Sequence, residues 1–215
     1  MDADYGVELG PTSPALELPW KDPEGRVHYV ELRGGMERDF AAGVDRGVNC
    51  GVDRITEARQ FPALRRFLVD VNSPRSPWQT AKCDVWTCAV EAAENLYNQG
   101  FAQSSYVDVV LAEKAAGLRG QLEAHLRLAT ELVQLLETDE GLEATAEVVV
   151  RRCYFHRGDE AEESDAGYCL TLWLTGYGAS AAEADGRWAR ALELAADCLL
   201  KLRLPEARAH GHKLG

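Results

Sequence analysis

Cys83, Cys88, Cys153 and His156 are the first residues of this chain whose types could do chemistry, because zinc takes four ligands from thiolates, imidazoles and carboxylates. Their spacing argues against a shared ion. Positions 83 and 88 differ by five and 153 and 156 by three, and an odd separation along a regular strand turns side chains to opposite faces. Buried thiols are the plainer expectation, with no structural metal and no cofactor. A second set, Asp45, Asn49 and Asp53, lies in a Gly-rich echo over 43–54 and offers oxygen ligands. A calcium loop needs carboxylates at alternate positions and a distal bidentate Glu, and this segment has neither, so a solvated loop is expected. His210 and His212 fall in the terminal tail, where only a weak adventitious site is expected.

The constellation closest to function comes from strand parity. If Leu170, Leu172 and Leu174 point under a helix layer, then Cys169, Thr171, Trp173, Thr175 and Tyr177 point away from it. The same rule applied to Val107, Val109 and Leu111 leaves Tyr106 and Asp108 outward, and Val148 and Val150 leave Glu147, Val149 and Arg151 outward. Asp84 and Trp86 join them if Val85 is inward. The resulting face mixes Trp86, Tyr106, Trp173 and Tyr177 with Asp84, Asp108, Glu147 and Arg151, the blend of large aromatics and few charges that ligand pockets and interfaces use. Two outcomes stay open: the N-terminal hairpin and helix cover this face and pair Arg151 with Glu147 or Asp108, or the face is a binding site. Asp84 and Asp108 could serve acid–base chemistry only if burial separated their pKa values.

No G-x-x-x-x-G-K-[ST], G-x-S-x-G, H-E-x-x-H or C-x-x-C occurs, and no G-x-G-x-x-G follows a strand pattern, so the common nucleotide-binding and hydrolase readings lose their support. The leading expectation is a non-catalytic module that binds a small molecule or a protein through the aromatic and charged face. The alternative is a carboxylate-dependent enzyme, with or without metal assistance, with a pocket on the same face.

The elements that must position these residues follow from periodicity. The expected fold is α+β: an antiparallel sheet of strand-strand-helix units, with long amphipathic helices packed on one face. Strands are expected over 144–156 and 167–177, joined by a loop carrying an acidic run at 159–165, and helices over 118–137 and 180–203. The first helix has the stripe Leu122, Leu126, Ala129, Val133, Leu136, flanked by Leu128, Leu132 and Leu135 to give a wide buried face. The second starts with the capping box Ser180 to Glu183 and holds Gly186, whose place inside a helix suggests close approach to a strand. A short helix is expected over 89–98. The expected division is an irregular arm over 1–14, a hairpin-plus-helix unit over 15–72, a hinge over 73–81, a main unit of two strand-strand-helix repeats over 82–204, and a flexible tail over 205–215.

Composition sets the outer bounds. The 215 residues are 46% hydrophobic and 27% charged, with a formal charge of -12 that repels phosphate backbones and anionic lipid heads. Nucleic acid and membrane are therefore not expected partners; an unknown small molecule, a protein or a second copy of the chain is. The acidic N-terminus lacks the pattern of a signal peptide, and with six cysteines in a chain of this size the expectation is a cytoplasmic protein with reduced thiols.

Overall fold

The computed structural model describes residues 1–18, 49–91, 95–156 and 164–205. Its strands are β1 (Asp2–Glu8), β2 (Leu16–Leu18), β3 (Trp78–Ala89), β4 (Phe101–Leu111), β5 (Ala144–His156) and β6 (Ser164–Gly178). Its helices are the short α1 (Asn49–Val52) and α2 (Thr56–Gln60), then α3 (Pro62–Val71), α4 (Leu122–Leu136) and α5 (Ala181–Lys201). A 3-10 turn at Glu113–Leu118 leads into α4.

The α+β reading holds, and the all-antiparallel sheet does not. The sheet has six strands in the order β1-β5-β6-β4-β3, and β2 also pairs with β5. β1 and β2 run parallel to β5, while the β5–β6, β6–β4 and β4–β3 pairs are antiparallel, so the sheet is mixed. The arm expected to be irregular supplies β1. Its acids and Gly6 read as loop chemistry, but an edge strand needs only one partner, and β5 provides the ladder.

All three long helices lie against one face. Leu64, Phe67 and Leu68 of α3, Leu128 and Leu132 of α4, and Trp188 and Leu192 of α5 share one buried cluster with Val107, Val109, Val148, Val150, Leu170, Leu172 and Leu174. That core joins residues from the expected N-terminal and main units. The expected hinge is also tied down: Trp78 is buried and donates from Nε1 to the Leu199 carbonyl at 2.9 Å. Buried Asn72 donates to the Leu68 carbonyl and the Thr80 hydroxyl, both at 2.7 Å, and accepts from the Thr80 N–H.

Three local readings change. Of the expected wide face of α4, Leu128, Ala129, Leu132 and Leu136 are buried and Leu122, Leu126, Val133 and Leu135 only partly so, while Ala124 and a histidine, His125, join the packed side. Gly186 has open space around it. Close approach belongs to β6 instead: a Cβ on Gly176 would lie 2.1 Å from the Trp188 nitrogen, and one on Gly178 2.5 Å from the Ala184 nitrogen. The cap of α5 forms, with Ser180 Oγ accepting from the Glu183 N–H at 3.3 Å, but the Glu183 carboxylate reaches past Ser180 to the Ala179 N–H at 2.9 Å.

Most of the hairpin expected within 15–72, the acidic run apart from its end in β6, and the tail beyond 205 lie outside the described residues. So does part of the expected helix over 89–98; its described end, Asn95 to Asn98, forms a turn.

Candidate functional site

On the face turned from the helices, the strand register arranges side chains in cross-sheet rows. One row runs Asp84, Tyr106, Trp173, Glu147, Asp4 across β3, β4, β6, β5 and β1. The next in one direction is Asp108, Thr171, Val149, Gly6, and beyond it lie Cys169, Arg151 and Glu8. In the other direction stand Trp86, Ser104, Thr175, Thr145 and Asp2, with Ser104 and Thr175 hydroxyls 3.0 Å apart. Residues paired across strands share a face, so the residues grouped by parity stand on one side of the sheet, and register decides which of them meet.

Four of the expected residues line one hollow. Tyr106, Asp108, Arg151 and Trp173 form its floor, Lys82 joins from β3, and Pro14 to Glu17 make a wall, enclosing about 350 Å³. The wall is anchored because Leu16 and Leu18 pack on Val110, Cys153 and Cys169 in a second, smaller apolar cluster. Lys82 reaches this face through a β-bulge. The β3–β4 register shifts between Thr80 and Cys83, which places both Ala81 and Lys82 on the outer side while Trp78 and Val85 pack with the helix-side core.

The rings are packed against one another. Trp173 lies 5.2 Å from Tyr106 at 43° and 5.9 Å from Trp86, edge to face at 69°. The Arg151 guanidinium stands 5.9 Å from the Trp173 ring centre and the Lys82 ammonium 6.0 Å from that of Tyr106. Arg151 pairs through Nε with the Glu8 carboxylate at 2.8 Å, a partner on β1 rather than Glu147 or Asp108.

Asp108 is the chemical centre of the hollow. It is 6% exposed, and the Thr171 hydroxyl donates to its Oδ1 at 2.5 Å. Burial raises its pKa above the ordinary carboxylate value, opposed by the Thr171 hydrogen bond and the positive charges of Arg151 and Lys82. Burial, with the negative charges of Asp108 and Asp84, pushes Tyr106 up to about 12, so its hydroxyl stays protonated at neutral pH. Asp84 is exposed, and its carboxylate accepts from the Val85 N–H at 2.7 Å.

The remaining expected residues lie elsewhere on the face. Trp86, 38% exposed, packs against Trp173 and is not part of the hollow's lining. Glu147 borders a separate depression with Asp2, Asp4, Trp173 and Thr175. Tyr177 is four residues along β6 from Trp173, about 13 Å at the rise of a strand, and its ring packs on Tyr97 at 5.5 Å.

The four candidate zinc ligands do not converge. Cys83 packs on the helix side of β3, whereas Cys153 lies in the outer cluster on β5, with β4 and β6 between them, and His156 Nε2 is 3.7 Å from Glu17. Among the described residues no group of three His, Cys, Asp or Glu side chains could hold a metal. Asp53, from the Gly-rich echo, pairs with Arg65 at 3.0 Å. Cys83, Cys88, Cys153, Cys169 and Cys198 are free thiols, and no described helix is long and apolar enough to cross a membrane.

Sequence reasoning missed Lys82, Glu8 and the wall at 14–17. Parity would have reached Lys82 only with knowledge of the bulge, and Glu8 only with β1 recognised as a strand. It also missed His125, buried against the Tyr168 ring at 5.6 Å with Nδ1 on the Gln121 carbonyl; burial lowers its pKa. The signal was available, since position 125 lies three and four before Leu128 and Ala129. Comparison with protein families, curated proteins and solved structures found no match.

Proposed function

We propose that this protein is a non-catalytic module that binds a small organic molecule in the hollow between β2 and the outer face of the sheet. One observation supports the reading most: Trp173 and Tyr106 share a concave site of about 350 Å³ with a buried carboxylate and two cations. Small-molecule sites are concave, largely apolar and fitted with a few polar groups, and this volume falls at the lower end of their range. Concavity favours a small ligand over a protein partner, which would need a broader surface.

The second reading is an enzyme, favoured by Asp108 alone, since a buried carboxyl with a raised pKa suits proton transfer. Ligand-observed NMR with fragments of varied charge tests the leading reading on the full chain. Fragments should bind the wild type and lose binding in Trp173→Ala and Tyr106→Ala, with both variants still folded. Hits that persist in both variants would defeat it. Conversion of a bound fragment, abolished by Asp108→Asn, would establish the enzyme instead.

A further inference from the structure

Resting on that binding reading, we infer that the ligand is a small zwitterion of the α-amino-acid class, its ammonium on Asp108, its carboxylate on Arg151 and its side chain against Trp173 and Tyr106.

The charges on the floor of the hollow alternate across the sheet, and Glu17 stands in the wall beside them. Lys82 stands on β3, Asp108 on β4 and Arg151 on β5, with β6 and its Thr171 between the last two. A ligand of one sign fits this order poorly. An anion that reaches Arg151 comes close to the Asp108 carboxylate, and a cation that reaches Asp108 lies between Arg151 and Lys82. Each case sets like charges together in a partly dehydrated site. A neutral apolar ligand would cover Asp108 without adding a donor to the one that Thr171 supplies.

The donors and acceptors suit a zwitterion. Thr171 engages Oδ1 of Asp108, and a carboxylate has roughly four acceptor positions, so an ammonium can be received beside that hydroxyl. Arg151 uses Nε toward Glu8, and a guanidinium has five N–H donors in a fork that matches a carboxylate. The ammonium and carboxylate of an α-amino acid are separated by a single carbon. With a hydrogen bond of about 2.8–3.0 Å at each end, they can span between two side chains that line one hollow from neighbouring rows, one on β4 and the other on β5. The paired rings beside them offer a flat apolar surface for the rest of the molecule.

Calorimetry on the full chain with matched probes tests this. L-Phenylalanine and L-leucine carry both charges; phenethylamine lacks the carboxylate and 3-phenylpropanoate lacks the ammonium. At least one amino acid should bind, both single-charge analogues should bind tenfold or more weakly, and Asp108→Asn should weaken the amino acid tenfold or more while sparing 3-phenylpropanoate. Equal binding of either analogue would overturn the inference, as would an amino-acid affinity within twofold of wild type in Asp108→Asn. Failure of both amino acids to bind would also overturn it. The broader reading would then still stand if fragments of another class bind the wild type and lose binding in Trp173→Ala.

Discussion

Strand β6 carries two kinds of surface on alternate residues. Leu170, Leu172 and Leu174 are buried under α4 and α5, in a core whose polar contacts are few, such as Trp188 Nε1 donating to Ser105 at 2.9 Å. Thr171, Trp173 and Thr175, on the same backbone, face a surface built from rings, hydroxyls and charges. The helix-covered face gains from excluding water, so it tolerates no missing volume. The outer face holds a half-buried aromatic, an ion pair and a dehydrated carboxylate, none of which maximises stability. Under the proposed binding function, folding rests on one face and recognition on the other, and substitutions on each should separate the two.

The largest effect is expected on the covered face. Trp188, 1% exposed, fills space between α5 and the sheet, and Trp188→Ala should cost about 3–5 kcal/mol in denaturant unfolding. A loss under about 1 kcal/mol would mean that this face is not the core. Next comes Gly176→Ala. The added Cβ would meet the backbone of α5, which cannot swing aside as a side chain could, so a loss at or above the upper end of the ~1–3 kcal/mol typical of overpacking is expected.

On the outer face, Trp173→Ala should cost about 1–2 kcal/mol, since the ring is half-buried and its edge and stacking contacts each contribute ~0.5–1.5 kcal/mol. Loss of fragment binding should accompany it. A cost of about 3–5 kcal/mol would place Trp173 in a core and erase the contrast between the faces. Glu8→Gln should change stability by less than about 1 kcal/mol, because Glu8 is nearly half exposed and solvent screens its pair with Arg151.

Asp108→Asn sharpens the comparison through pH. Burial raises the Asp108 pKa, so the folded protein holds this proton more tightly than the unfolded chain does. Wild-type stability therefore falls as pH rises from the ordinary carboxylate value through the raised one, and the cost persists above it. Asparagine keeps the shape and can still accept from Thr171, so the variant should melt at or above the wild-type temperature at neutral pH. That advantage should shrink as pH falls through the raised pKa. A variant less stable at neutral pH than at acidic pH, relative to wild type, would show that the charged form is stabilised in the fold.

Much of this arrangement was legible in local sequence. The alternation of Val148 and Val150, and of Leu170, Leu172 and Leu174, fixes which face each strand buries, and Ser180 with Glu183 marks the start of α5. Parity selects a face but not a row. Tyr177 therefore shared the expected face with Trp173 yet stands well outside the hollow, and the meeting of Tyr106, Asp108 and Arg151 needed a register that spans three strands. The pairing of β1 was missed although Ala3, Tyr5 and Val7 alternate with Asp2, Asp4 and Glu8, because the acids and Gly6 read as loop chemistry and the parallel partner β5 lies more than 130 residues away. The glycines misled for a related reason. A helix interior seemed to demand an explanation for Gly186, whereas the steric need lay in β6 at Gly176, where two backbones meet.

Crystallographic fragment screening of the full-length wild type tests the division of labour between the faces most directly. Fragments should order in the hollow against Trp173 and Tyr106, within hydrogen-bond reach of Asp108 and in contact with the wall at residues 14–17. Fragments that order only at other places, or a hollow filled by the chain's own residues, would contradict the assignment of recognition to the outer face.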